Sequence, residues 1–170
     1  MIVVVLGGTR SGKSELGERV AARLGEPVTV IVPARPGDDA DLAARVQAHR
    51  DRRPASWATV ECGPDLPAAL AATRGTALVD SLGTWLAARP DLPADPAPLL
   101  DALDARTDPT VVVTEEVGLA VHPPTEAGRR FADALGALNR AVADRADRVL
   151  LTVAGRVAVL TDPDHVLTEL

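Results

Sequence analysis

Met1-Ile2-Val3-Val4-Val5-Leu6-Gly7-Gly8-Thr9-Arg10-Ser11-Gly12-Lys13-Ser14 opens the chain, and Leu16, Val20 and Leu24 follow at helical spacing. An apolar, β-rich run leads into G-x-x-x-x-G-K-[ST], and a helix leads out of it. That strand–loop–helix context is what a phosphate-binding loop requires. Its glycines let backbone N–H groups close around a β-phosphate, and the helix N-terminus adds the positive end of its dipole. Lys13 would bridge the β- and γ-phosphates, and the Ser14 hydroxyl would ligate Mg²⁺. Of eighteen Lys and Arg residues, Lys13 alone is lysine. A chain that writes arginine everywhere else keeps a compact, rotatable ammonium at the one slot that needs it. A nucleoside triphosphate site is expected here.

Composition narrows the partners. The chain has 170 residues, enough for one domain spanning 1–170 with a full core. Hydrophobic residues make up 46% and aromatics 2%, with a net charge of −6. A nucleic-acid surface would want basic patches and stacking platforms, so a small-molecule partner is expected instead. No run of eighteen apolar residues and no basic-plus-apolar leader is present, which points away from a membrane span and a secretory signal. The single cysteine, Cys62, cannot form an internal disulfide and fits a reducing cytoplasm.

Apolar runs alternate with helical patterns along the chain, the signature of an α/β protein with a mostly parallel sheet. Strands are predicted over 2–6, 28–32, 58–61, 76–79, 110–114, 149–153 and 157–160. Helices are predicted over 14–24, 39–52, 66–72, 82–88, 97–105 and 125–144. The proline-rich run 89–98 reads as a surface loop. Nothing in the tail 161–170 suggests an element. A nucleotide would lie at the carboxyl ends of the strands.

A phosphate loop needs an acidic partner for its metal at the end of a neighbouring strand. Ala77-Leu78-Val79-Asp80 supplies one, and Asp80 is assigned to the Mg²⁺ site with Ser14. The strand over 110–114 runs into Glu115 and Glu116, of which only one can face the site. Glu116 is the one favoured.

The segment Asp41–Trp57 is the least ordinary. Leu42, Val46 and His49 share one helical face, with Arg45, Arg50, Arg52 and Arg53 around the histidine. On spacing alone two readings stay open. His49 completes an apolar stripe, or it is a neutral nucleophile among cations that hold a phosphate chain.

Gly7-Gly8-x-Arg10-Ser11-Gly12-Lys13-Ser14, Arg45-x-x-x-His49-Arg50-x-x-Arg53-Pro54-x-x-Trp57-x-x-x-Glu61, Val79-Asp80-x-Leu82-x-x-Trp85-Leu86 and Glu116-Val117-Gly118 stand in this order. Together they resemble the bifunctional adenosylcobinamide kinase/adenosylcobinamide-phosphate guanylyltransferases of cobalamin biosynthesis. Arg130-Phe131-x-Asp133-x-x-Gly136-x-x-Asn139 extends the likeness, which covers roughly residues 1 to 160. The resemblance implies a RecA-like P-loop fold, a trimer, a corrinoid substrate, and ATP and GTP as phosphate and GMP donors. It implies that Lys13 serves phosphoryl transfer and that His49 carries GMP. It places nucleotide contacts on residues 7–14, on Pro33, Ala34 and Arg35, on Arg50, Asp51, Arg52 and Arg53, and on Glu61 and Asp80. One departure is local: Val32-Pro33-Ala34-Arg35 stands where the family usually reads Ala-Thr-Ala or similar.

Two other classes fit the loop without the histidine. One is a small-molecule kinase of the same fold, and the other is a nucleotide-dependent switch ATPase.

Overall fold

The structure is a computed structural model that describes residues 1–33, 53–89, 95–119 and 121–168. Among these, seven strands form one sheet: β1 (Ile2–Gly7), β2 (Val28–Val32), β3 (Ala58–Glu61), β4 (Thr76–Asp80), β5 (Thr110–Glu115), β6 (Arg148–Val153) and β7 (Arg156–Leu160). Their order is β3-β2-β4-β5-β1-β6-β7. All neighbours are parallel except β6 and β7, which are antiparallel. The helices are α1 (Lys13–Leu24), α2 (Leu66–Ala72), α3 (Leu82–Ala87), α4 (Ala97–Asp104), α5 (Glu126–Ala143) and α6 (Pro163–Thr168).

Strands β1, β4 and β5 are nearly continuous apolar runs because both of their faces are covered. The two-residue period divides them cleanly. Val3, Val5, Leu78, Val111 and Val113 face α1 and Trp57. Val4, Leu6, Val79 and Val112 face the leucine-rich sides of α2, α3, α4 and α5. Trp57 and Trp85 are both core residues, and the Trp85 indole N–H donates to the Pro64 carbonyl at 2.9 Å. Cys62 is buried, as a small hydrophobe would be.

All seven expected strands are present, each boundary within one residue of its expectation, as are five of the helices. The helix expected over 39–52 lies outside the described residues. The sixth helix, α6, was not foreseen, because its six residues carry no apolar stripe and none of them is buried.

Helix α1 sits close to the sheet at Gly17, where a Cβ would come within 2.6 Å of Val113 Cγ2 and 3.3 Å of Leu78 Cδ1. This approach sets the height of the phosphate loop above the strand ends. At the opposite edge Arg106 ties the sheet together. Its guanidinium donates to the carbonyls of Leu70, Thr73 and Gly75 at 2.7–2.8 Å and to Thr110 Oγ1 at 2.8 Å. Burial lowers its pKa from the ordinary arginine value, with the nearby Asp108 carboxylate opposing that shift.

Gly17→Val is expected to destabilise the fold by about 2 kcal/mol, since it overpacks a buried helix–sheet contact. Urea unfolding followed by circular dichroism measures it. A variant as stable as wild type would show that α1 is free to lift from the sheet.

Candidate functional site

The carboxyl edge of the sheet gathers most of the described site candidates. Gly7 ends β1, Glu115 ends β5, Asp80 ends β4, Pro33 follows β2 and Glu61 ends β3. Strands lie about 4.8 Å apart, so four steps from β1 to β3 span roughly 19 Å. That is long enough for an extended nucleotide with its phosphates at β1.

The loop from Gly8 to Gly12 folds back tightly over the end of β1. Arg10 (φ 56°) and Gly12 (φ 96°) both take left-handed backbone, so the second glycine suits its position sterically. A Cβ on Gly7 would overlap the Ser11 hydroxyl, whereas nothing lies within 4 Å of a Cβ on Gly8. Gly7 is therefore demanded by packing, and Gly8 borders the open side of the loop. Two hydrogen bonds fix the turn from within: Ser11 N–H donates to the Gly8 carbonyl at 3.3 Å, and Lys13 N–H donates to Ser11 Oγ at 3.3 Å. A third comes from outside, where Gly155 N–H, in the β6–β7 turn, donates to the Ser11 carbonyl at 2.9 Å.

Lys13 begins α1, so its ammonium sits at the helix N-terminus. The amine donates to the Gly8 carbonyl at 3.3 Å and lies 3.8 Å from Glu115 Oε1. Ser14 Oγ donates to Asp80 Oδ1 at 3.2 Å. A hydroxyl that has given its proton to a carboxylate keeps its lone pairs for a cation. Ser14 and Asp80 together offer two oxygens of the hard type that Mg²⁺ prefers, and would hold it if it binds here. Among the described residues no group of three or more His, Cys, Asp or Glu is placed to hold a metal.

Asp80 is also held by a buried ion-pair chain. Arg53 Nη2 lies 3.2 Å from Asp80 Oδ2, and Arg53 Nε lies 3.0 Å from Glu18 Oε1. The Arg53 side chain is only 5% exposed. Arg53, expected at the nucleotide, bridges Glu18 and the Asp80 carboxylate beside Ser14.

Glu115 and Glu116 reverse the expected choice. Glu116 turns away, and its two oxygens accept from the backbone N–H groups of Gly118 and Leu119 at 2.9 Å each. It is Glu115 that lies beside Lys13. Its carboxylate accepts from Ser81 Oγ at 2.8 and 3.1 Å and from Gly83 N–H at 3.1 Å. Asn139 on α5 clamps the backbone there, donating to the Glu115 carbonyl at 2.9 Å and accepting from Thr114 Oγ1 at 2.7 Å. Ser81, Gly83 and Asn139 were not picked out as site residues. Their only signal was closeness in sequence to Asp80 or membership of the family string.

Of the remaining expectations, Pro33 is buried at the end of β2, and Glu61 is exposed on the outermost strand, far from the loop. His49, Ala34, Arg35, Arg50, Asp51 and Arg52 lie outside the described residues. No helix among the described residues is long and apolar enough to cross a membrane.

A parallel sheet, a left-handed glycine loop, a lysine on the first turn of α1 and a strand-end carboxylate bonded to the following serine define a P-loop nucleotide-binding protein. The comparisons sharpen this. The CobU family, described as cobinamide kinase / cobinamide phosphate guanyltransferase, matches residues 3–160. The bifunctional adenosylcobalamin biosynthesis protein CobP of Pseudomonas aeruginosa is 41% identical over 165 residues, covering 89% of this chain and 92% of that protein. The bifunctional adenosylcobalamin biosynthesis protein CobU of Salmonella typhimurium is 34% identical, covering 91% of this chain and 97% of its own length. A solved structure of the P4 protein from bacteriophage phi6 in complex with ADP overlays at a TM-score of 0.44 and 13% identity, over 92% of this chain and 53% of that one. The chain belongs to the cobinamide kinase / cobinamide phosphate guanyltransferase family.

Asp80→Asn is expected to raise the Mg²⁺ concentration needed for half-maximal nucleotide-dependent activity, because the charge beside Ser14 is lost while its shape stays. A Mg²⁺ titration of the rate checks it, and an unchanged curve would remove Asp80 from the metal. Lys13→Ala is expected to slow phosphoryl transfer by ~10²-fold or more, with the melting temperature nearly unchanged. Wild-type turnover in that variant would contradict the loop assignment.

Proposed function

We propose that this chain catalyses both reactions for which its family is named, in sequence, with adenosylcobinamide as the first acceptor. In the first, the acceptor hydroxyl takes the γ-phosphate of a nucleoside triphosphate, ATP or GTP. In the second, a ring nitrogen of His49 attacks the α-phosphorus of GTP, the bond to pyrophosphate breaks, and a GMP–histidine phosphoramidate forms. A phosphate oxygen of the first product then attacks the same phosphorus, the N–P bond breaks, and adenosylcobinamide-GDP leaves.

The single observation that carries this reading is the family match over residues 3–160, which takes in both the loop and the Arg45–Glu61 string. The geometry of the loop supports it. Phosphoryl transfer asks mainly for positioning and for charge placed where negative charge develops. Lys13 stands at the start of α1 for the γ-phosphate, and the loop N–H groups can surround the β-phosphate. Mg²⁺, when bound at Ser14 and Asp80, would neutralise the charge shared by the β- and γ-oxygens. The row of strand ends from Gly7 to Glu61 leaves room for base and ribose to extend toward β2 and β3. Nucleotide contacts at Pro33, Ala34, Arg35, Arg50, Asp51, Arg52, Arg53, Glu61 and Asp80 remain part of the proposal.

The reading extends to one domain over 1–170, a cytoplasmic setting and a homotrimer. Support for self-association comes from Val153, Val157, Val159 and Leu160, large hydrophobics exposed on β6 and β7. Light scattering on a sizing column tests the trimer.

His49 is tested with [α-³²P]GTP. Wild type is expected to acquire an acid-labile label that maps to His49. His49→Asn should lose the label and keep phosphorylation of adenosylcobinamide within a few-fold, since that step needs no histidine nucleophile. Retention of the label, or loss of both activities together with the melting temperature, would return His49 to a structural role.

A further inference from the structure

We infer that Glu115 takes the proton from the alcohol that is phosphorylated, an inference that rests on the kinase half of the function proposed above. Glu115 ends the strand hydrogen-bonded to β1, in register with Gly7, where the phosphate loop begins. Glu116 N–H donates to the Gly7 carbonyl at 3.1 Å and locks the two strand ends together. The carboxylate is carried on the sheet, not on a mobile loop, and projects beside the ammonium that serves the γ-phosphate.

It is also fixed in orientation. Oε2 is held by Gly83 N–H at 3.1 Å and by Ser81 Oγ at 3.1 Å. A Cβ on residue 83 would overlap this oxygen, so Gly83 is the residue that lets the carboxylate dock. Oε1 accepts from Ser81 Oγ at 2.8 Å and turns its remaining lone-pair side to Lys13, 3.8 Å away. The side chain remains 32% exposed, so it is accessible to solvent and solute.

Charge argues for a base over a phosphate contact. A carboxylate next to the γ-phosphate repels it, and the more so the drier the site. Lys13 offsets part of that. The arrangement becomes favourable when a neutral hydroxyl enters between carboxylate and phosphorus and donates its hydrogen bond to Oε1. Ser14 and Asp80 are hydrogen-bonded to each other, whereas Glu115 is held by Ser81 and Gly83. In the step, the O–H bond breaks and its proton passes to Glu115 Oε1. The alcohol oxygen bonds to the γ-phosphorus, and the bond from that phosphorus to the β–γ bridging oxygen breaks. The nucleoside diphosphate leaves with the electron pair, balanced by Lys13. Ser81 is a positioning residue for this base.

The test is single-turnover transfer from [γ-³²P]ATP to adenosylcobinamide by the full chain, in wild type, Glu115→Gln and Glu115→Asp. Glu115→Gln is expected to slow transfer by ~10²- to 10⁴-fold. Its triphosphate affinity and half-maximal Mg²⁺ should stay within about threefold. Glu115→Asp should recover part of the rate. A Glu115→Gln rate within about threefold of wild type, or a parallel loss of triphosphate affinity or Mg²⁺ response, overturns the inference. If Glu115→Gln does not fold, Ser81→Ala decides: a lower kcat at unchanged KM supports the base, and an unchanged kcat overturns it. An active wild type with an active Glu115→Gln removes this inference alone. A folded wild type that transfers no phosphate removes the kinase reading as well.

Discussion

The hydrogen bond from Ser14 to Asp80 is the contact on which the carboxyl edge is organised. It joins the first turn of α1 to the end of β4 across the intervening β5. For the two groups to meet, α1 must lie close to the sheet, which the missing side chain at Gly17 permits. The loop must also turn sharply, which the left-handed Gly12 and the Cβ-free Gly7 permit. Arg53 and Glu18 then hold Asp80 in a buried ion-pair chain, where removing one partner would leave a costly unpaired charge. Packing and electrostatics thus serve one end, which is to keep a hydroxyl and a carboxylate side by side at the mouth of a phosphate loop.

Much of this was legible in the order of residues. Parallel strands buried on both faces must be written as apolar runs, so β1, β2, β4 and β5 stood out with nearly correct ends. Gly7–Ser14 could be read because each residue in it answers to a separate physical demand. Asp80 is legible as a carboxylate at the end of an apolar strand; that this strand lies one beyond the neighbour of β1, with Asp80 still within reach of Ser14, is what the fold adds.

The failures have local causes. Glu115 and Glu116 differ only in where β5 stops. The strand ends at Glu115, and Glu116 begins a turn whose N–H groups its own carboxylate satisfies, a tertiary detail that no alternation pattern encodes. The partners of Arg53 are a tertiary matter too, since the fold brings Glu18 and Asp80 to it from 35 and 27 residues away. Helix α6 escaped notice because an exposed, six-residue helix has no buried face to leave a period in the sequence. The role of Gly155 was equally hidden. A turn on the antiparallel hairpin supports the phosphate loop through one backbone bond, and a glycine there looks like any hairpin glycine.

The central claim is that one nucleotide lies along the carboxyl edge with its phosphates at the loop. A crystal structure with Mg²⁺ and a non-hydrolysable GTP analogue tests it most directly. The β-phosphate should rest on the N–H groups of the Gly8–Ser14 loop, with Lys13 on the β- and γ-oxygens and Mg²⁺ beside Ser14 and Asp80. The His49 imidazole should face the α-phosphate, and Glu115 should border the γ-phosphate on the side away from the leaving oxygen. A triphosphate bound elsewhere, or one bound at the loop with His49 turned into the core, would contradict the account.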